Sequence, residues 1–432
     1  MNPRRLQELS QSYRDRARTD PGGFDYRGRD VTPGRITFAH PGWLVVGATL
    51  ALCMIGVYCI GLTSGTRFAS AETIAFKQLV FVGIGLVFGA ACTLVHYRRL
   101  VHANWLIALA VVGLLVFVLL PFIPEEIVRP RKGARRWINV GVTEFQPSEL
   151  AKIAYVLVTA GYLRYRRNHR RLKGLVGPAL IAFVPMALIL VEPDLGTALL
   201  FMPTLFAMLI AAGAKLKHLI STAALGAVFA GGVIAISLVA AERDDYPLLR
   251  PHQVARIQAV VDQIEGDDRF IQERGFQGRQ AMMLIGAGGV LGNDHDHAEA
   301  LVKFSSLPEQ HNDMIFAVFA NRFGLLGITI LIGVYGVWVG GTLLVAGSCK
   351  DPFGRLTCVG LGAMVATQMT INMGMTLGVL PITGMTLPFV SAGGSSLVTG
   401  FLMVGLICNI AMRRPDYLWR RSFEFDDEVG GS

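Results

Sequence analysis

Charged side chains are scarce in this chain: Asp, Glu, Lys and Arg supply 16% of its 432 residues, against roughly a quarter in soluble domains. Hydrophobic residues supply 52%, and mean hydropathy is +0.48. So little polar surface cannot cover so much apolar volume in water, and a chain this apolar is not a disordered one. Cysteine is sparse as well. Cys53, Cys59, Cys92, Cys349, Cys358 and Cys408 form no CxxC pair, and five of them sit inside apolar runs, which excludes a disulfide framework and a zinc site. The first forty residues lack the apolar core and small-residue cleavage site of a secretory signal. No internal repeat or low-complexity tract stands out. The net charge of +9 does not point to nucleic acid, because no basic stripe with interleaved aromatics is present.

What is present is a series of apolar runs: Trp43–Leu62, Leu79–His96, Val101–Ile123, Leu150–Tyr162, Leu175–Val191, Leu195–Gly213, Leu219–Ala241, Phe323–Gly347, Leu356–Leu380 and Leu397–Met412. Most are long enough to cross about 30 Å of hydrocarbon; the fourth is short and carries Lys152 near its start. Lys and Arg mark cytoplasmic connections, and they cluster after every even-numbered run: Tyr97–Arg99, Arg164–Lys173, Lys215–His218, Lys350–Arg355 and Arg413–Arg414. The expectation is an all-α polytopic membrane protein with ten transmembrane helices and both termini cytoplasmic. Residues 1–41 form a basic cytoplasmic tail, 42–412 the membrane domain and 413–432 a second tail. The large extracytoplasmic loop, 242–312, lies between spans seven and eight and contains helical stretches at Val254–Ile264 and Gly275–Leu284.

One outward connection breaks the charge rule: Arg129, Arg131, Lys132, Arg135 and Arg136 precede Trp137. Pairing with Glu125, Glu126, Glu144 and Glu149 is one reading, but exposed pairs gain little; an anionic substrate on that face is the better one. Asp294-His295-Asp296-His297 has the look of a metal cluster, yet it sits in a polar loop without further ligands.

Ionisable residues at membrane depth cost at least about 2.5 kcal/mol at a helix centre, and four clusters converge on the outer helix ends. In Gln146–Lys152, Ser148 suits an N-cap while Glu149 and Lys152 share a helix face. In Glu192–Thr197, Asp194 caps the next helix or supports a site. In Leu307–Phe316, Asp313 precedes an apolar helix, as an N-cap or as a general base, with Glu309 accessory. Leu380–Ser396, with two prolines and a Gly-Gly-Ser-Ser turn, must be buried in protein or line a cavity. Its backbone N–H groups can cradle an anion.

Taken in order, these segments resemble the SEDS family of polytopic membrane proteins, the RodA/FtsW peptidoglycan polymerases. The matching stretches are GARRWINVG and FQPSELAK (within 133–152), EPDLGTAL (192–199), LPEQHNDMIFAV (307–318) and INMGMTLGVLPITGMTLPFVSAGGSSL (371–397), with GAGGVLG (286–292) after Gln277 and Gln280 as a weaker match. The wording GVLPITG leans toward the RodA branch. The resemblance implies an inverting glycosyltransferase that polymerises lipid II, the undecaprenyl-pyrophosphate-linked disaccharide-pentapeptide, outside the cytoplasmic membrane. It implies no organic cofactor and leaves a divalent cation open.

In that reading Asp313 deprotonates the acceptor sugar, and Arg135, Arg136 and Lys152 hold the diphosphate. Glu149 orients Lys152, Trp137 packs on sugar or lipid, and Asp194 and Glu309 assist. Ser391, Gly393, Gly394, Ser395 and Ser396 shape the pocket. A class B penicillin-binding protein is the implied partner. A lipid II flippase and a non-catalytic scaffold for such a protein are the alternatives. Three positions depart from the family pattern: Asn321-Arg322 stand where two acids are usual, and Ala392 where Tyr is.

Overall fold

Backbone polar groups in hydrocarbon find no water, so apolar runs of this length fold as helices that bond internally. The computed structural model describes residues 38–63, 70–131, 134–141, 144–164, 166, 171–241, 254, 258 and 276–413. The helices among them are α1 Gly42–Gly61, α2 Ala71–Leu94, α3 Tyr97–Leu119, α4 Pro147–Leu163, α5 Val176–Val191, α6 Leu195–Leu199, α7 Phe201–Ala211, α8 Leu216–Ala241, α9 Phe276–Ala287, α10 His295–Phe304, α11 Ile315–Ser348, α12 Pro352–Thr376 and α13 Gly394–Met412. This is a multi-pass membrane protein: among the described residues, eight helices are long and apolar enough to cross a membrane, α5 being counted together with the 3-10 turn Leu172–Leu175 that leads into it.

The other two expected spans fall short of that length. α4 has 17 residues, about 25 Å at the helical rise. The sixth run is divided at Leu200 into α6 and α7. Pro203 has no N–H to offer the Leu199 carbonyl one turn back, while the Thr204 N–H and hydroxyl both donate to the Leu200 carbonyl (3.3 and 2.8 Å).

Most helix boundaries move from the sequence reading, typically by no more than four residues, and three of the shifts have a clear local cause. α2 starts at Ala71, eight residues early, where Ser70 accepts a bond from the Thr73 N–H (3.2 Å); Glu72 and Lys77 had masked that turn. α11 starts at Ile315 and not Phe323, continuing through a break at Gly324 (φ 62°). That break is built for close approach: the Leu325 and Leu326 N–H groups donate to the Gly289 and Val290 carbonyls (3.0 and 3.1 Å), and a Cβ on Gly324 would collide with the Val290 carbonyl. α12 ends at Thr376 and not Leu380, where Gly378 turns left-handed (φ 74°).

The all-α expectation needs a correction. A three-stranded antiparallel sheet, β1 Val128–Arg131, β2 Ala134–Asn139 and β3 Glu144–Phe145, follows α3. Val128 pairs with Ile138 and Arg129 with Trp137. The cations there had drawn attention from Trp137-Ile138, which suit a pleated surface. In the long loop, α9 fulfils the second helical stretch; the first, Val254–Ile264, lies outside the described residues apart from 254 and 258. Asp294–His297 opens α10, and no group of three or more metal-ligating side chains occurs among the described residues.

α12 is the centre of the bundle, packed against α3, α4, α7, α9 and α11. At another contact α2 and α13 meet through glycines: a Cβ on Gly89 would stand 2.8 Å from the Phe401 carbonyl, and one on Gly405 would run into the Gly89 backbone. Small residues let membrane helices approach this closely. Gly405→Val should therefore lower the melting temperature of the detergent-solubilised protein, by an overpacking cost of about 1–3 kcal/mol. Gly226→Val on α8, where nothing lies within 4 Å, should leave it unchanged.

Candidate active site

The first turn of α4 carries charge into the bundle. Pro147 occupies N1, and Gln146, not Ser148, is the N-cap; proline's fixed φ and missing N–H suit that position. Ser148 is wholly buried inside the helix. Glu149 and Lys152 lie one turn apart, and Lys152 Nζ sits 2.8 Å from Glu149 Oε2, with side-chain exposures of 2% and 8%. The ammonium also donates to Gln368 Oε1 on α12 (3.2 Å). An ammonium has three donors; the third has no protein partner among the described residues.

A second junction joins the sheet to the α5–α6 turn. Arg136, on β2, donates from Nε to the Glu192 carbonyl (2.6 Å) and from Nη2 to the Pro193 carbonyl, and its Nη1 lies 3.9 Å from Asp194 Oδ1. Asp194 caps α6 as expected, accepting from the Thr197 N–H (3.2 Å) and hydroxyl (3.0 Å). It also accepts from Gln146 Nε2 (3.1 Å), while the Gln146 N–H donates to Ser395 Oγ (3.2 Å). Gly196 packs on the segment Thr383–Met385.

Asp313 is not a helix cap: Met314 precedes α11 without a side-chain bond. It is buried, its main-chain carbonyl accepts from Asn372 Nδ2 (2.8 Å), and its Oδ2 lies 3.7 Å from where a Cβ on Gly384 would stand. Asn372 Nδ2 donates also to the Met385 carbonyl (2.6 Å), and Gln368 Nε2 to the Thr386 carbonyl (2.9 Å). The His311 carbonyl accepts from the Ala392 N–H (2.8 Å). Burial lowers the His311 imidazole below its ordinary value, against the opposing pull of Glu309, so the ring is neutral at physiological pH. The four clusters, far apart in sequence, are thus joined by direct bonds at one end of the bundle.

The remaining candidates divide by what they touch. Ser395 meets Gln146, and Ser396 Oγ faces Thr386 Oγ1 (3.5 Å). The Gly393 N–H donates to Gln78 Oε1 (3.4 Å), and Gly394 packs on the Phe81 ring. Ser391 Oγ closes its own turn, accepting from the Leu387 N–H (2.7 Å). Arg135 is turned away from Asp194, bonding the Pro121 and Ile123 carbonyls (3.1 and 2.5 Å). Trp137 lies half-buried on β2 opposite Arg129. Glu309 adopts φ 54° and accepts from Asn312 Nδ2 (2.6 Å) within its own loop.

Asn321 and Arg322 serve a separate junction. Asn321 donates to the Leu284 carbonyl (3.2 Å), and Arg322 to Tyr58 Oη (2.9 Å) and the Asn293 carbonyl (2.8 Å).

Sequence reasoning gave no role to Gln78, Gln146, Gln368, Asn372 or Glu192. The first four are neutral amides, and attention to ionisable residues alone misses them; an amide inside or at the edge of an apolar run is the signal that finds them. Glu192 is 1% exposed, and neither of its side-chain oxygens has a hydrogen-bond partner among the described residues. Burial pushes its carboxyl up to about 8, the Asp194 charge pushes the same way, and the Arg136 guanidinium opposes both.

The native state therefore keeps a proton that the unfolded chain gives up above the ordinary value of 4.5. The associated stability is complete below that value and is lost as pH rises to about 8. Glu192→Gln, which cannot ionise, should gain in melting temperature over wild type across that window and hold a constant lead beyond it. A lead independent of pH would contradict this assignment.

The FtsW/RodA/SpoVE family model, described as "Cell cycle protein", matches residues 41–415. Stage V sporulation protein E of Bacillus subtilis is 31% identical over 86% of this chain and 97% of its own length. A probable peptidoglycan glycosyltransferase FtsW of Thiomicrospira cyclica is 33% identical over 84% of this chain and 90% of its own. Among solved structures, a chain of a peptidoglycan synthase complex studied for its coordination of polymerization and crosslinking superposes with a TM-score of 0.70 at 27% identity, covering 87% of this chain and 98% of that one. The rod shape determining protein RodA of Thermus thermophilus gives 0.61 at 25% identity, covering 87% and 98%. The likeness spans FtsW-, SpoVE- and RodA-named proteins without singling out a branch. By the extent of the match and the order of its four motifs, this chain belongs to the FtsW/RodA/SpoVE (SEDS) family.

Proposed function

We propose that this protein is a peptidoglycan glycosyltransferase, active at the outer face of the cytoplasmic membrane, that links lipid II disaccharides into glycan strands. The observation that carries this reading is the bonded convergence of Lys152, Arg136, Asp194 and the Asp313 loop. On this reading a cation and a carboxylate serve one reacting centre. Family membership supports the same reading, as do relatives named peptidoglycan glycosyltransferases. The ten-span topology with both termini cytoplasmic belongs to this proposal, with α4 and the α6–α7 pair as the two short crossings.

In the reaction, the 4-hydroxyl of the acceptor GlcNAc attacks the anomeric carbon of the donor MurNAc. A C–O bond forms there as the bond to the lipid diphosphate breaks, with inversion. The hydroxyl proton passes to the Asp313 carboxylate, a general base if placed within hydrogen-bond reach. The bonding electrons leave with undecaprenyl pyrophosphate, whose growing charge is met by positive groups fixed in advance. Lys152 is best suited to that task, because one of its donors is unspent. Arg136 is committed to the Glu192 and Pro193 carbonyls and adds its charge from there. Arg135 holds the Pro121–Ile123 loop, a supporting part in place of direct contact. Trp137 offers an apolar face to sugar or prenyl chain, and a class B penicillin-binding protein crosslinks the product.

A flippase moving a diphosphate would need charged groups along a path through the bilayer. Beyond Lys152, α4 carries no charged residue before Arg164, nor does α12 between Arg355 and its C-terminus. At the far end Arg164 and Asp351 pair with each other (3.7 Å).

The test is purified protein with labelled lipid II. Wild type should yield glycan chains, and Asp313→Ala should lose at least about a hundredfold in rate, within the range for a general base. Undiminished polymer from Asp313→Ala defeats the assignment, and growth complementation by that variant favours a scaffold.

A further inference from the structure

Two neutral amides lie one turn apart on α12, Gln368 and Asn372, 4% and 0% exposed. Each is anchored on one residue of the non-helical segment after α12: Gln368 Nε2 on the Thr386 carbonyl (2.9 Å) and hydroxyl (3.4 Å), Asn372 Nδ2 on the Met385 carbonyl (2.6 Å). Those bonds alone would satisfy buried backbone at membrane depth. Each amide, however, makes a further bond to a residue that carries or presents charge. Gln368 Oε1 accepts from Lys152 Nζ (3.2 Å), and Asn372 Nδ2 gives its other hydrogen to the Asp313 carbonyl (2.8 Å). The two amides project from one face of a rigid helix, about 6 Å apart along its axis.

We propose that Gln368 and Asn372 are positioning residues that set the separation of the cation and the carboxylate. Gln368 orients the Lys152 ammonium so that its free donor faces the diphosphate. Asn372 clamps the loop from which the Asp313 carboxylate projects, against Met385 and next to Gly384. α12 is then the ruler of the site, and neither amide touches the reacting atoms. This rests on the polymerase reading above.

The two amides have separable kinetic signatures. The Asn372 clamp governs the geometry of proton transfer, and a misplaced base loses rate once substrate is bound. Asn372→Ala should therefore lower kcat at least about tenfold with KM within about twofold. Gln368 governs the grip on the diphosphate. Gln368→Met, similar in shape but without the acceptor for Lys152 or the donor to Thr386, should raise KM at least about fivefold with a smaller change in kcat.

The experiment is steady-state polymerisation of labelled lipid II by the purified full-length protein. Rates are normalised to the monodisperse fraction, and Asp313→Ala runs alongside. If Asn372→Ala fails to yield monodisperse protein, Asn372→Ser, which keeps one donor, takes its place and should recover part of the lost kcat. A merely structural role predicts wild-type kcat and KM per folded molecule for both positions; that result, with Asp313→Ala silent, overturns the proposal and leaves the polymerase reading standing. Wild-type polymer from Asp313→Ala overturns both.

Discussion

An ammonium group buried in an apolar helix sets the terms for much of this site. Taking a charge out of water costs several kcal/mol even after relaxation, and Lys152 is 2% exposed. It is tolerable only with an opposite charge and hydrogen bonds close at hand. Glu149, one turn earlier on α4, supplies the charge. Gln368 supplies an acceptor from α12, which ties α4 to the helix at the centre of the bundle. An apolar pair of similar volume often folds as well as or better than a buried ion pair, so stability alone is a weak reason for this one. A cation with a donor left unbonded among the described residues, held by Gln368 one turn from the Asn372 that bonds the Asp313 carbonyl, has a reason in chemistry.

The same economy governs the segment between α12 and α13. Its backbone is not helical, so its carbonyls and N–H groups must find partners inside the protein. They come from several helices: Gln78 of α2 to the Ser391 carbonyl (3.0 Å), Tyr335 of α11 to the Pro388 carbonyl (2.6 Å), and Gln368 and Asn372 of α12 to the Thr386 and Met385 carbonyls. Phe389, at φ 65°, is held between Trp338 and Phe401 at ring-centroid distances of 5.9 and 6.3 Å. A loop fastened at so many points is a rigid wall for the site, and it leads into the first turn of α13, where the Ser395 and Ser396 hydroxyls meet Gln146 and Thr386.

Much of this was legible in the sequence, for reasons that differ by element. The apolar runs became helices because hydrocarbon leaves the backbone little choice. Asp194 became an N-cap because a short carboxylate before Leu-Gly-Thr can reach the N–H three residues on. Ser148 and Asp313 also looked like caps, but Pro147 had already claimed N1 of α4, and Asp313 is committed to Asn372 through its backbone. The small sheet after α3 was hidden by its charges. The amides were hidden for the opposite reason: Gln368 and Asn372 are uncharged, and only the fold brings them against Lys152 and Asp313. Arg135 and Arg136 are adjacent and chemically identical in sequence, and only strand geometry assigns one to a loop and the other to the Glu192–Asp194 turn.

The most direct measurement of the central claim is a cryo-EM structure of the protein bound to lipid II. The account predicts a diphosphate oxygen within ion-pair reach of Lys152 Nζ, about 4 Å or less, with the acceptor 4-hydroxyl on the Asp313 carboxylate. A diphosphate bound instead to the cations of the β1–β2 hairpin, with Lys152 still occupied only by Glu149 and Gln368, would contradict it.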